Sequence, residues 1–286
     1  MATPKADALM ERRAAGWYSD PFERLRFRWW DGDGWTSYAA DDAVRWDEVP
    51  SDEEPAPPGP KGVGLAIAGY VLGIALGGAI HLAMAAADYP GGRTVALVFS
   101  QFGLWAGLLG ACVYVSRVRG TGSLADDFGW RFRRIDVGLG LAGSLVARVM
   151  AAVIVSPVPV VFRHVRAPDR DVFERVTNSP AEWIVLIAIV CIGAPLIEEL
   201  FFRGLLQSRL VHIAGPVGGI VITAVLFGAA HLVAWQGPVT LVYGLAITGG
   251  GLVLGLMRLV AGRLGPGVMA HTFFNAQAVL ASALVQ

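Results

Sequence analysis

The feature that most constrains this chain is a series of apolar stretches, each long enough to cross a lipid bilayer. A bilayer-spanning helix needs about 20 mostly apolar residues. Such stretches lie at residues 63–87, 94–115, 135–162, 183–202, 216–235, 238–257 and 264–285. Because backbone N–H and C=O groups must be paired within lipid, these stretches fold as helices. The sequence therefore predicts an all-α polytopic membrane protein with about seven transmembrane helices.

Charge is divided unevenly along the chain. Residues 1–60 contain 7 basic and 13 acidic residues, a net of −6, whereas residues 61–286 contain 16 basic and 10 acidic residues, a net of +6. Only 16% of the whole chain is charged, against about 25% in a soluble domain. This composition excludes a single soluble globular enzyme, a disordered chain and a basic nucleic-acid-binding protein. We expect a lipid bilayer as a partner and no nucleic acid.

The distribution of arginine predicts the orientation of the helices. Residues 116–134 contain five arginines, and the turns near 203–215 and 258–263 contain two each. If the helices alternate in direction, these segments and the N-terminus share one side, which the positive-inside rule makes cytoplasmic. Residues 163–181, with four arginines, fall on the other side as an exception. We predict a multi-pass protein of the plasma membrane with a cytoplasmic N-terminus.

An aromatic-rich head, residues 1–46, precedes the apolar part of the chain. It contains GWYSDPFERLRFRWWDGDGWTSY, in which LRFRWW alternates as a strand does and WTSY is a suitable hairpin partner. The pattern GWYxDP…RWWDGxxWT resembles a short domain of unknown function common at the N-termini of actinobacterial membrane proteins. We predict a small β-hairpin-like head, which either packs only on itself or at the membrane surface, or docks a protein partner.

The rest of the chain divides into a linker and a membrane domain. Residues 47–62 are rich in proline and acidic residues, which predicts an extended, solvated linker. Residues 63–286 form the predicted transmembrane domain. Within it, Arg148 lies in the middle of the third predicted span, and we expect it either to snorkel or to pair with an acidic residue of another helix.

Two adjacent carboxylates are the main functional candidates. From residue 183 to the C-terminus, 104 residues contain only two acidic side chains, Glu198 and Glu199. An ionisable group inside a bilayer is by default a candidate functional residue. Glu199 and Arg203 are four residues apart on one helical face, where an ion pair forms. Glu198 lies about 100° around the helix and remains available for chemistry.

Two histidines and an asparagine are predicted to reach the depth of Glu198. Glu198 precedes the turn near 213–216 by about as many residues as His231 follows it, so the two share one depth in an antiparallel helix pair. His271 and Asn275 follow the next turn at an overlapping depth. Glu198 is placed to take a proton from water with help from His231, and His271 and Asn275 to donate hydrogen bonds to an oxyanion. This set suits amide hydrolysis within the membrane.

Three motifs on successive helices resemble those of the CPBP family, which contains the CAAX prenyl proteases of the Rce1 type and the bacteriocin-processing Abi proteins. The motifs are Glu198-Glu199-xxx-Arg203, Phe227-xxx-His231 and His271-xxx-Asn275. The resemblance covers roughly residues 120–285. It implies an intramembrane endopeptidase, a glutamate-dependent CAAX-type protease formerly classed as a metalloendopeptidase, which acts on a membrane-associated or lipidated peptide or protein.

The resemblance also implies roles for these residues. Glu198 activates water with His231, His271 and Asn275 form the oxyanion site, and Glu199, Arg203 and Phe227 support the site. We expect no cofactor, because no HExxH motif of the usual zinc proteases occurs. Zinc stays an alternative, since Glu198, His231 and His271 would suffice as three protein ligands.

Two other functions remain open. A non-catalytic membrane adaptor or bacteriocin-immunity protein would explain the appended head and the lack of a substrate signature. A proton-coupled transporter would also explain glutamate and histidine inside the membrane, but the polar groups are predicted to lie in one layer rather than along a path.

Overall fold

The structure is a computed structural model that describes residues 16–19, 27–30, 35–40, 61–87, 92–157, 179–232 and 240–285. The chain divides into two compact units, Met1–Ala56 and Pro57–Gln286. Most of the predicted linker and residues 163–178 of the second arginine-rich segment lie outside the described residues.

The first unit contains a three-stranded antiparallel sheet of β1 (Gly16–Ser19), β2 (Phe27–Trp30) and β3 (Trp35–Ala40), in that order. Strands β2 and β3 form the predicted hairpin, with Trp30 opposite Trp35, and β1 adds a strand that the sequence analysis did not predict. Trp29 and Trp30 are buried, and the ring of Trp17 meets that of Trp29 edge-on at 5.5 Å. Aromatic packing therefore contributes to the stability of this small sheet.

The second unit is helical. Its α-helices are α1 (Lys61–Ala86), α2 (Gly92–Arg119), α3 (Leu124–Phe128), α4 (Ile135–Val155), α5 (Pro180–Ile187), α6 (Ala194–Glu198), α7 (Gln207–Ala230), α8 (Thr240–Ala261) and α9 (Gly265–Val285). Two π-helical segments, π1 (Ala188–Gly193) and π2 (Glu199–Leu206), join α5 to α6 and α6 to α7.

Five helical stretches of the described residues are long and apolar enough to cross a membrane. They are Gly62–Ala86, Val95–Arg119, Ile135–Val155, Pro180–Ala230 and Thr240–Ala261. The 51-residue stretch is broken at Gly215, whose φ of 72° and ψ of 172° lie outside the helical region. This break falls at the predicted turn, so the stretch forms two arms. The predicted fold class, a multi-pass helical membrane protein with a small β head, is confirmed.

Two predicted spans end earlier than expected. Helix α7 ends at Ala230, because His231 adopts φ −92° and ψ −8° and its N–H donates to the carbonyl of Gly228 in a tighter turn. Helix α4 ends at Val155, whereas the apolar pattern continues to residue 162. Apolar composition alone cannot mark these ends, since the residues beyond them are also apolar.

All eight residues of π2 are buried, which makes this segment the centre of the membrane domain. Helices α1, α2, α7 and α8 contact it. Glycines of α8 allow close approach, because a Cβ on Gly251 would lie 3.2 Å from Ala224 of α7, and one on Gly255 would lie 2.9 Å from the side chain of Gln207. Small residues permit such close backbone contact between membrane helices.

Arg148 of α4 has partners that the sequence analysis did not predict. It donates hydrogen bonds to the carbonyl of Phe274 and to Oε1 of Gln277, and its guanidinium lies 4.0 Å from the ring centroid of Phe274. Among the described residues, its hydrogen-bond partners are thus a backbone carbonyl and an amide rather than the expected acidic side chain, and snorkelling stays a prediction. A polar side chain on α9 and a cation–π contact accommodate the charge instead.

A buried ion pair joins the start of α4 to the turn between α8 and α9. Asp136 is 1% exposed and pairs with Arg263, and its Oδ2 also accepts the backbone N–H of Arg133 at 2.7 Å. The removal of one partner from a buried pair leaves an uncompensated charge.

We expect Asp136→Asn to lower the free energy of unfolding by about 3–5 kcal/mol. The matched control is Asp126→Asn, since Asp126 pairs with Arg131 and both side chains are about half exposed. An exposed ion pair contributes only about 0–1 kcal/mol to the free energy of unfolding. Denaturant titration in detergent micelles measures both changes. Equal effects of the two substitutions would contradict the structural importance of the buried pair.

Candidate active site

The charged centre of the site lies on π2. Nη1 of Arg203 donates to Oε1 of Glu199 at 2.9 Å, and both side chains are fully buried. Arg203 also donates to the carbonyl of Gly251 at 3.4 Å, and its guanidinium lies 4.1 Å from the ring centroid of Phe227. The predicted ion pair is thus present and is held between α7 and α8.

The pair forms on a π-helical segment rather than on the expected α-helical turn. The N–H of Gln207 donates to the carbonyl of Phe202, five residues earlier. Hydrophobic periodicity could not reveal this register, because all eight residues of π2 are buried and the spacing of its charged residues, Glu199 and Arg203, is one that an α-helix also allows. Short π-helical insertions occur frequently at functional sites.

Glu198 lies between two histidines. Its Oε2 is 4.0 Å from Nε2 of His231 and 3.9 Å from Nε2 of His271. The side chain of His231 is 31% exposed, that of Glu198 13% and that of His271 7%, so the site is open mainly beside His231. The three side chains that the depth argument placed in one layer lie together in the structure.

The second nitrogen of each histidine contacts a hydrogen-bond acceptor. Nδ1 of His231 is 2.8 Å from the carbonyl oxygen of Phe227, and Nδ1 of His271 is 3.0 Å from Oε1 of Glu199. A carbonyl and an ionised carboxylate can only accept, so these partners assign a proton to Nδ1 of both rings. In their neutral forms, both rings therefore direct the lone pair of Nε2 toward Glu198.

Aromatic rings cover one side of this cluster. The ring of Phe227 meets His231 at 4.7 Å and His271 at 5.6 Å between centroids, and Phe202 packs on Phe227 at 5.1 Å. Tyr70 of α1 reaches the same cluster by packing on Phe202 at 6.4 Å. This contribution from α1 could not be predicted from the sequence, because nothing in the apolar pattern of the helix distinguishes Tyr70. These apolar rings lower the local polarity and so strengthen electrostatic interactions inside the site.

Asn275 lies one helical turn after His271 on α9, as predicted, but its amide has a different partner. Nδ2 of Asn275 donates to the backbone carbonyl of Val190 in π1 at 2.8 Å. This contact was not predicted from the sequence. Pro195 does signal that a preceding carbonyl lacks its backbone donor, but the carbonyl is that of Val190 only because π1 has a π-helical register.

The donor atoms around Glu198 are more widely spaced than the ligands of a zinc ion. Zinc ligands at 2.0–2.1 Å in a tetrahedron lie about 3.3 Å apart, whereas the measured separations from Glu198 are 3.9 and 4.0 Å. In the described ranges, no three His, Cys, Asp or Glu side chains are arranged to hold a metal ion.

Fold and site together define a multi-pass membrane protein whose buried polar centre is a carboxylate between two imidazoles. Residues 180–277 match the family model described as Type II CAAX prenyl endopeptidase Rce1-like, and residues 15–60 match that of a protein of unknown function, DUF2510. Both resemblances recognised from the sequence motifs are confirmed. The first match contains all seven predicted site residues and supports a CAAX-type endopeptidase.

Comparison with curated proteins found no match, and comparison with solved structures found none either.

Arg203→Ala tests the ion pair of the site. The substitution leaves the buried Glu199 carboxylate without its positive partner, so we expect the free energy of unfolding to fall by about 3–5 kcal/mol. Replacing both residues by methionine removes the unpaired charge, and we expect this double variant to be more stable than Arg203→Ala. Denaturant titration of the purified proteins compares the two. A double variant less stable than the single one would contradict the argument.

Proposed function

We propose that the protein is an intramembrane endopeptidase that hydrolyses a peptide bond of a membrane-associated or lipidated peptide or protein. The observation that carries this proposal is the position of Glu198, whose Oε2 lies 3.9–4.0 Å from two imidazole nitrogens in a largely buried site. The match of residues 180–277 to the Rce1-like family supports the reaction class.

Water is the nucleophile in this proposal. Separations of 3.9–4.0 Å exceed a direct hydrogen bond and suit a bridging water. Glu198 removes a proton from the water as its oxygen attacks the carbonyl carbon of the substrate, and His231 shares that water or relays the proton. The attack converts the carbonyl oxygen into an oxyanion.

The oxyanion needs a hydrogen-bond donor, and His271 can supply one. Because its Nδ1–H is bonded to Glu199, the ring donates from Nε2 only in its doubly protonated form. Asn275, the second oxyanion donor predicted from the sequence, has its Nδ2 bonded to the carbonyl of Val190, so we assign the oxyanion to His271. When the C–N bond breaks, Glu198 returns its proton to the leaving amine nitrogen, so the products are a carboxylic acid and an amine.

The proposal also includes an orientation. Helix α2 ends in Arg117 and Arg119, and Arg131, Arg133 and Arg134 precede α4. The positive-inside rule supports a cytoplasmic location for this end of the helices. We place the N-terminal head on the same side, in a protein of the plasma membrane, where the head is available to a protein partner.

Glu198→Ala and His231→Ala test the chemistry. We expect each to lower kcat by at least about 100-fold, the usual contribution of a general base, in an assay of lipidated and hydrophobic peptides with protein reconstituted in liposomes. Glu182→Ala is the matched control, because Glu182 is an acid of the same helical stretch but lies in the first turn of α5, and we expect it to keep full activity.

Full activity in Glu198→Ala or His231→Ala would refute the hydrolytic proposal. If a phenotype of the deletion strain is restored by Glu198→Ala but not after removal of residues 1–46, the non-catalytic adaptor is the better explanation. A comparison of membrane-peptide termini between wild-type and Glu198→Ala strains then identifies the substrate.

We expect hydrolysis to be independent of metal. The donor spacing around Glu198 supports this expectation. Elemental analysis of the purified protein, before and after treatment with a chelator, provides the measurement, with activity assayed in parallel. Stoichiometric zinc in the wild-type protein that is lost in His271→Ala would overturn the metal-free mechanism.

A further inference from the structure

We infer that Asn275 is a positioning residue, which holds the helix of Glu198 in place through a backbone carbonyl that Pro195 leaves unpaired. This inference rests on the proposed function, since Glu198 is the group that it positions. It assigns Asn275 a role apart from the oxyanion.

The backbone of π1 leaves the carbonyl of Val190 without a main-chain donor. The N–H of Ala194 donates to the carbonyl of Ile189, five residues earlier. The carbonyl of Val190 would therefore accept from residue 194 in an α-helical register or from residue 195 in a π-helical one. Ala194 is already engaged, and residue 195 is proline, which has no N–H. The Val190 carbonyl thus lacks a main-chain donor from both positions.

The carbonyl of Val190 lies in an apolar part of the chain. Val190 lies in the first arm of the apolar stretch Pro180–Ala230, which is long and apolar enough to cross a membrane, and an unpaired backbone group within lipid finds no bulk water to replace the missing donor. Nδ2 of Asn275 supplies the donor at 2.8 Å from another helix. The side chain of Asn275 therefore completes the backbone pairing of π1.

The bond between Asn275 and Val190 lies close to Glu198 along the chain. Helix α6 is a single short turn that begins just before Pro195 and ends at Glu198. Helix α9 contacts the chain on both sides of that turn, through Asn275 and Val190 before it and through His271 and Glu199 after it. Two attachments that flank Glu198 fix its carboxylate relative to Nε2 of His271, which lies 3.9 Å away.

A double-mutant experiment separates this role from oxyanion stabilisation. In Asn275→Ala the Val190 carbonyl loses its donor, and we expect kcat per folded molecule to fall about 100-fold, as a displacement of about 1 Å can cause. In Pro195→Ala the new N–H can donate to Val190 in the existing π-helical register. We therefore expect Pro195→Ala/Asn275→Ala to recover kcat to within about tenfold of wild type, with KM little changed.

The control is Gln277→Ala, because Gln277 is another amide of α9 but bonds to Arg148 and Ser144 of α4. We expect it to keep kcat even where it lowers the unfolding midpoint. The midpoint, measured on the same samples, provides a readout that does not depend on activity. We expect Asn275→Ala to lower the unfolding midpoint of the wild-type protein. In the Pro195→Ala background, we expect the same substitution to have little effect on the midpoint.

The outcomes are distinguishable. Recovery of both kcat and the unfolding midpoint in the double variant supports positioning. Recovery of the midpoint without kcat would overturn it, because Asn275 would then be needed for the chemistry itself. Coupled midpoints in a protein with no peptidase activity would refute the proposed function, and the positioning role with it, while the bond to Val190 would stand.

Discussion

The buried ion pair between Glu199 and Arg203 is the interaction on which the rest of the site depends. It places two full charges in the centre of the membrane domain with no exposure to solvent. Such charges are tolerated within lipid only when they compensate each other and find further partners. The carbonyl of Gly251, the ring of Phe227 and Nδ1 of His271 are those partners, so three other helical positions are organised around one pair.

This organisation gives the two adjacent glutamates different surroundings. Glu199 is fully buried and contacts both Arg203 and His271, whereas Glu198 is partly exposed and its Oε2 has no hydrogen-bond donor among the described residues. Glu199 thus uses its carboxylate oxygens to bind other residues of the site. Glu198, the preceding residue, keeps a carboxylate oxygen available to accept a hydrogen bond from water. The low polarity of the surrounding aromatic rings strengthens the charge interactions of both glutamates with their neighbours.

Much of this arrangement could be predicted from the sequence, because inside a membrane polarity is rare and therefore informative. The spacing of Glu199 and Arg203, the turn near Gly215 and the common depth of Glu198 and His231 all follow from helix geometry applied to a few polar residues. The π-helical register of π2 and the partners of Arg148 could not be predicted, because they depend on backbone and side-chain contacts between helices distant in sequence. Strand β1 was missed because four residues are too few for alternation to distinguish a strand.

The location of His231 shows how the end of a helix can orient a reactive group. Its ring contacts the carbonyl of Phe227, four residues earlier, whereas helix α7 ends at Ala230. The last turn of the helix thus orients a side chain that lies just beyond it. The reactive nitrogen keeps its direction through this local bond, without requiring that the chain continue as a helix.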